Sequence, residues 1–250
     1  MGDSERKTAG IMGGMGPDAT VDFMTKVLRL TGSGRDQDHV HMIVDQDPTV
    51  PNRQAAIQSG NDDVSPALAR MAKRLEEAGA DFLVMVCNTA HAFLDGADEE
   101  TSVPFISIID ESIAEIGCVA SGAKFVGVMA TDGCLDTRLY QAALEATGRF
   151  AIVPDATDLT ELMRCIHAVK AGDQGSLVAE GMKGVAQSLV DQGAEVVIAG
   201  CTEIPIVFDG TDFPVPVISS TDVLAKRTLA LAMGYDCLLY TSPSPRDQRG

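Results

Sequence analysis

The chain has 250 residues, 45% hydrophobic and 22% charged, with 36 acidic against 19 basic side chains and a formal net charge of −17 at pH 7. That length holds one large core or two small ones, and the composition is that of a folded globular protein, not a disordered one. The acidic balance argues against nucleic acid as a partner, since phosphate binding needs clustered Lys and Arg; no apolar run approaches the roughly 20 residues of a membrane span.

The first residues, Met1-Gly-Asp-Ser-Glu-Arg-Lys7, carry no hydrophobic signal core, so a cytoplasmic protein without membrane contact is expected. Cys87, Cys118, Cys134, Cys165, Cys201 and Cys237 are widely spaced, unlike the framework of a small secreted domain, and are expected to be mostly reduced.

Thr8-Ala-Gly-Ile-Met12 has the apolar run of a short buried strand, Gly13-Gly-Met-Gly-Pro17 follows, and Val21, Met24 and Leu28 recur at helical spacing. This is strand, glycine turn, helix. Glycines there let backbone amides approach an anion, and Pro17 suits a first helical turn, although a tight turn without a ligand fits the same residues equally well. The run is neither G-x-G-x-x-G nor a P-loop, which disfavours a nucleotide. His39 to Asp45 reads as the second strand, and the long polar connection from Gln46 to Asp63 has Arg53 as its only cation. Long connections inside compact domains are often functional. Arg53 is therefore a candidate carboxylate clamp, against the commoner fate of a loop arginine as a solvated charge.

Ser65-Pro66 reads as the cap of a helix with Leu68, Met71 and Leu75 on one face, ended by Gly79. Val84-Met-Val-Cys-Asn-Thr-Ala90 runs as a strand into small polar residues, followed by a helical stretch with His91 and Phe93; Pro104 to Ile109 is the next strand. From Phe125 the scheme repeats, with a strand at 125–130, a helix at 136–147 and a strand at 150–154. A helix opens at the capping box Asp158-Leu-Thr-Glu161 and carries Cys165, His167 and Lys170. Lys170 in its last turn either complements the helix dipole or points at a cleft. A helix through Met182 and Leu189, the strand into Gly200-Cys-Thr-Glu203, a strand at Val215-Pro-Val-Ile218 and a helix at 222–233 complete the order. The segment 235–250 has no period and is read as a tail foreign to the fold.

The two cysteine segments are copies of one scheme. Leu75-Glu-Glu-Ala-Gly-Ala-Asp-Phe82 leads to Cys87 as Leu189-Val-Asp-Gln-Gly-Ala-Glu-Val196 leads to Cys201, and Pro104-Phe-Ile-Ser107 echoes Pro216-Val-Ile-Ser219. A repeat this long is domain-sized, not a solenoid unit. It predicts two similar α/β/α halves, 1–115 and 116–218, with mainly parallel sheets related by a pseudo-twofold axis and a site in the cleft between them. The helix at 219–234 is expected to pack back on the first half.

A cysteine at a strand's C-terminal end, before a helix, sits where α/β sheets bind ligands, although a single buried cysteine is more commonly inert. His91 reads by default as a packing or hydrogen-bonding residue. Facing cysteines admit four chemistries. A redox disulfide lacks the C-x-x-C spacing, and zinc lacks further close ligands. A single nucleophile with a histidine base leaves the second cysteine unexplained. Two-base proton transfer explains the duplication, because inverting a stereocentre needs an acid or base on each side, and thiols with an ordinary pKa of about 8.5 reach either protonation state.

The set Gly13-Gly-Met-Gly-Pro17, Pro51-Asn-Arg53, Cys87-Asn-Thr-Ala-His91, Val169-Lys-Ala-Gly172 and Gly200-Cys-Thr-Glu203 closely resembles the aspartate/glutamate racemase family in its aspartate-racemase branch, over about residues 7–234. The resemblance implies that Cys87 and Cys201 are paired acid/base groups. It implies that Asn88, Thr89 and Thr202 bind the substrate α-carboxylate, that Arg53 and Lys170 hold a second carboxylate, and that Met15 and Gly16 border the pocket. It further implies a small dicarboxylic amino-acid substrate, no pyridoxal phosphate or metal, and a homodimer. Glutamate racemases proper carry an Asp-Ser-Gly type motif where this chain has its glycine run. The activity implied is interconversion of L- and D-aspartate; the alternatives are a glutamate or broad-specificity racemase, a maleate-type isomerase, or a dicarboxylate-binding protein without turnover.

Overall fold

The structure is a computed structural model that describes residues 6–95 and 101–235. The predicted tail from 236 onward lies outside the described residues.

Two four-stranded sheets carry the chain. The first is built from β1 (Ala9–Gly13), β2 (Met42–Gln46), β3 (Phe82–Met85) and β4 (Phe105–Ile106) in the order β2-β1-β3-β4. The second repeats that order as β6-β5-β7-β8, from β5 (Phe125–Met129), β6 (Phe150–Ile152), β7 (Val196–Ala199) and β8 (Val217–Ser219). All pairings are parallel. The expected α/β architecture with two parallel sheets is what the chain adopts. Parallel strands are covered on both faces, which is why these segments read as continuous apolar runs.

Successive strand residues point to opposite faces, and the core divides accordingly. Ile11, Val84 and Val86 of the first sheet join Val126, Val128, Val196 and Ile198 of the second in one central core. Leu83, Met85 and Cys87 face a separate cluster with Leu68, Met71 and Leu75 of helix α3 (Val64–Glu77). Val197, Ala199 and Cys201 face a third cluster, with α7 (Ala156–Lys170) and α8 (Ser176–Asp191). The central layer holds Phe23 and Val27 of α1 (Pro17–Thr31), Ile108 and Ile116 of α4 (Ile108–Val119) and Leu224 of α10 (Ser220–Ala232). Helix α10 packs on α1 and α4, and Lys7 N–H donates to Ala232 O at 2.9 Å.

Several sequence boundaries are corrected. The connection from Gln46 to Asp63 contains helix α2 (Arg53–Ser59), capped by Asn52 Oδ1. The strand expected from Pro104 to Ile109 is only two residues long, because Ser107 Oγ accepts from Asp110 N–H and starts α4, a helix the apolar run concealed. The helix expected at 136–147 is two pieces, α5 (Asp132–Asp136) and α6 (Leu139–Ala146), broken where Arg138 takes φ 55°. Helix α7 starts earlier than its expected capping box, on an Asp155 cap. For α3, Asp63 takes the cap position in place of Ser65. The helical stretch expected after Cys87 is a 3-10 turn, Thr89–Phe93. A last short helix, α9 (Ile204–Val207), follows Cys201.

Candidate active site

Both sheets reverse their winding direction at their centres, between β1 and β3 and between β5 and β7, and the crevice beyond such a switch point is where α/β sheets take ligands. The register levels those ends. Met12 pairs with Met85, and Met129 with Ala199. Each cysteine therefore stands two residues beyond the last paired residue of its strand, Cys87 after Met85 and Cys201 after Ala199. Both thiols are free and buried at 6% exposure, and both line one cavity of about 110 Å³. That is well below the roughly 300 Å³ at which drug-sized sites begin, so the cavity suits a small metabolite.

The cavity also takes in Met15, Arg53, Asn88, Thr89, Lys170 and Thr202. Gly16 does not line it but borders it, since a Cβ there would stand 3.2 Å from Glu203 Oε1 and 3.9 Å from Lys170 Nζ. The glycine turn is a packing necessity in its own right. Gly14 has φ 90°, with Asp47 backbone 2.5 Å from any added Cβ, and its N–H donates to Thr20 Oγ1 at 2.9 Å. Arg53 opens α2 with its guanidinium anchored on backbone, donating to Val50 O at 3.1 Å, Pro51 O at 2.7 Å and Met15 O at 3.4 Å.

The two cysteine environments differ. Cys201 Sγ donates to Glu203 Oε2 at 3.0 Å, and burial first, then the Glu203 charge, push its pKa well above the ordinary thiol value, with Lys170 opposing. Glu203 is itself buried at 3% exposure; Lys170 Nζ lies 3.0 Å from its Oε1. Burial pulls the Lys170 pKa down, but Glu203, Cys201 and Cys87 together outweigh it and hold the group charged. Lys170 thus arrives with a partner, which the sequence did not foresee. Cys87 is steadied through its backbone: His91 Nδ1 donates to Cys87 O at 2.8 Å, while Nε2 accepts from Ile108 N–H at 3.3 Å. Only the neutral ring can do both, and burial lowers its pKa to about 4. His91 is a structural histidine, the default reading.

Residues before β5 and residues after it meet through polar contacts. Thr89 Oγ1 and Thr131 Oγ1 are 2.8 Å apart, and Gln54 Nε2 donates to Asp132 Oδ1 at 2.5 Å. Asn88 uses its side-chain amide for structure, accepting from Tyr140 and donating to Ser220.

The profile of the Asp/Glu/hydantoin racemase family matches residues 12–228. The chain belongs to that family. It is 30% identical to a broad specificity amino-acid racemase of Bacillus subtilis over 233 residues, 90% of this chain and 98% of the relative. Among solved structures it superposes on an aspartate racemase of Picrophilus torridus with a TM-score of 0.81 at 29% identity, covering 90% of this chain and 94% of that one. An aspartate racemase homologue of Pyrococcus horikoshii gives 0.73 at 26% identity, covering 90% and 99%.

For this family member, sequence reasoning missed Glu203 as a site residue, although it stood in a quoted motif. It also missed Asn52, Gln54, Thr131, Ile166 and His167, all of which line the cavity. Thr131 was findable: it follows β5 as the glycine turn follows β1. Among the described residues, no group of three or more His, Cys, Asp or Glu is arranged to hold a metal, and no helix is long and apolar enough to cross a membrane.

Proposed function

We propose that this protein interconverts L- and D-aspartate by two-base proton transfer at Cα, with Cys87 and Cys201 as the acid/base pair and no added cofactor. The observation that carries the reading is that cysteines at equivalent ends of β3 and β7 line one small cavity together with Arg53 and Lys170. In the forward step the Cα–H bond breaks and its proton passes to one sulfur as thiolate. The opposed thiol gives up its S–H proton to form a new C–H bond on the other face, leaving the two sulfurs with exchanged protonation. Cys201 enters as the proton donor, because its hydrogen is held on Glu203, and Cys87 is the base for that direction. Arg53 and Lys170 hold the second carboxylate; backbone and hydroxyl groups of Asn88, Thr89 and Thr202 hold the α-carboxylate and the charge that develops on it. The site is assigned to a cleft between halves 1–115 and 116–218.

A broader substrate range is the second reading. It is favoured by the Lys170–Glu203 ion pair, which offsets one of the two cations available to a second carboxylate, and by the broad specificity of the relative from B. subtilis.

The test incubates purified protein with L-aspartate in deuterated water, followed by proton NMR of the α-hydrogen and chiral chromatography, with L-glutamate and L-alanine in parallel. Loss of the α-proton together with D-aspartate supports the proposal. Inversion of all three amino acids favours the broad reading, and inversion of none removes the racemase assignment for these substrates.

A further inference from the structure

Among the described residues, Tyr140 on α6 is the largest fully buried side chain, and it sits in the core shared by the two sheets. It touches both cysteine turns. Its hydroxyl donates to Asn88 Oδ1 at 2.7 Å, and Asn88 directly follows Cys87. Its ring lies against Gly200, which directly precedes Cys201; a Cβ at Gly200 would stand 2.7 Å from the ring's Cε2. The circuit closes through the other end of Asn88. Nδ2 donates to Ser220 Oγ at 3.2 Å, and that hydroxyl donates to Ala199 O at 2.8 Å, the last residue of β7, two residues before Cys201.

We propose that Tyr140 is a positioning residue that sets the spacing and relative orientation of the two cysteine-bearing turns. The inference rests on the racemase reading above, since two sulfurs must address opposite faces of one carbon. Reacting atoms must come to about 3–3.5 Å, and a misplacement of about 1 Å can cost about 100-fold in rate. A tyrosine suits the task because its ring is rigid and its hydroxyl reaches Asn88. Gly200 follows from the same arrangement: any side chain there would push the ring off the Cys201 turn.

The test is Tyr140→Phe, which keeps the ring on Gly200 and removes the hydroxyl that holds Asn88. The expected result is a fall in the inversion kcat of about tenfold or more with KM within about twofold of wild type. Ser220→Ala, which releases the other end of the Asn88 amide, should act in the same direction. A residue that only stabilised the fold would lower the melting temperature and leave kcat per folded molecule unchanged. A second arm needs no substrate: iodoacetamide labelling of native protein, read by peptide mass spectrometry. The Cys87 labelling rate should change several-fold in Tyr140→Phe while that of Cys165, buried on α7, does not. Wild-type kcat and wild-type Cys87 labelling in the variant would overturn the proposal. Should the wild type invert no amino acid supplied, the racemase reading fails separately, and the labelling result alone decides the role of Tyr140.

Discussion

Lowering the pH from 6.5 toward 4 is expected to destabilise the protein through His91, which is buried at 9% exposure and has its folded-state pKa lowered to about 4. The cause is burial, and the hydrogen bonds fix the neutral form: Nδ1–H on Cys87 O and Nε2 facing the Ile108 N–H. Protonating Nε2 would set one N–H against another. The unfolded chain takes up the proton near 6.5, before the folded chain does. The stability contributed by the neutral ring is therefore complete above that pH and lost as pH falls toward the folded value. At about 1.4 kcal/mol per pH unit, the gap between the two values is worth on the order of 3 kcal/mol. The assay is urea unfolding at half-unit pH steps, for wild type and His91→Gln. Gln lowers stability at neutral pH but cannot titrate, so the difference between the proteins should shrink steadily as pH falls from 6.5 to 4. A difference independent of pH over that range would refute the assignment, and carboxylate titration cannot mimic it because both proteins share it.

Cys87→Ala and Cys201→Ala should each reduce inversion by about 100-fold or more while substrate binding, measured calorimetrically, persists; a variant that still inverts would exclude two-base transfer. Glu203→Gln removes a charge that raises the Cys201 pKa, so the alkaline limb of the pH–rate profile should move to lower pH, and an unmoved limb would separate Glu203 from the thiol. Gly14→Ala forces a side chain into φ 90° and within 2.5 Å of Asp47 backbone; a loss of about 2–4 kcal/mol is expected, and an unchanged melting temperature would contradict it.

Much of the fold was legible because its signals are local. Parallel strands buried on both faces write themselves as apolar runs, and the repeated leucine-to-cysteine spacing announces a second sheet with the strand order of the first. The same locality caused the errors. Ile108 and Ile109 extend an apolar run that looks like strand, and only the Ser107 hydroxyl reaching Asp110 N–H marks the turn into helix. Helix α2 was hidden in a polar segment, since its exposed residues carry no period; its Asn52 cap was the available sign.

The sequence by itself determined the parallel α/β architecture and the recurrence of a cysteine just beyond one strand of each sheet, because these follow from spacing along the chain; the neighbouring residues worth testing came from the resemblance to the racemase family. Only the tertiary structure decided what those residues hold. Lys170 meets Glu203, Asn88 is fastened to Tyr140 and Ser220, and Thr89 meets Thr131. Each contact joins separate elements. Burial then makes Glu203 shift the thiol beside it and keeps His91 neutral, and burial is a property of the assembled chain, not of any segment of it.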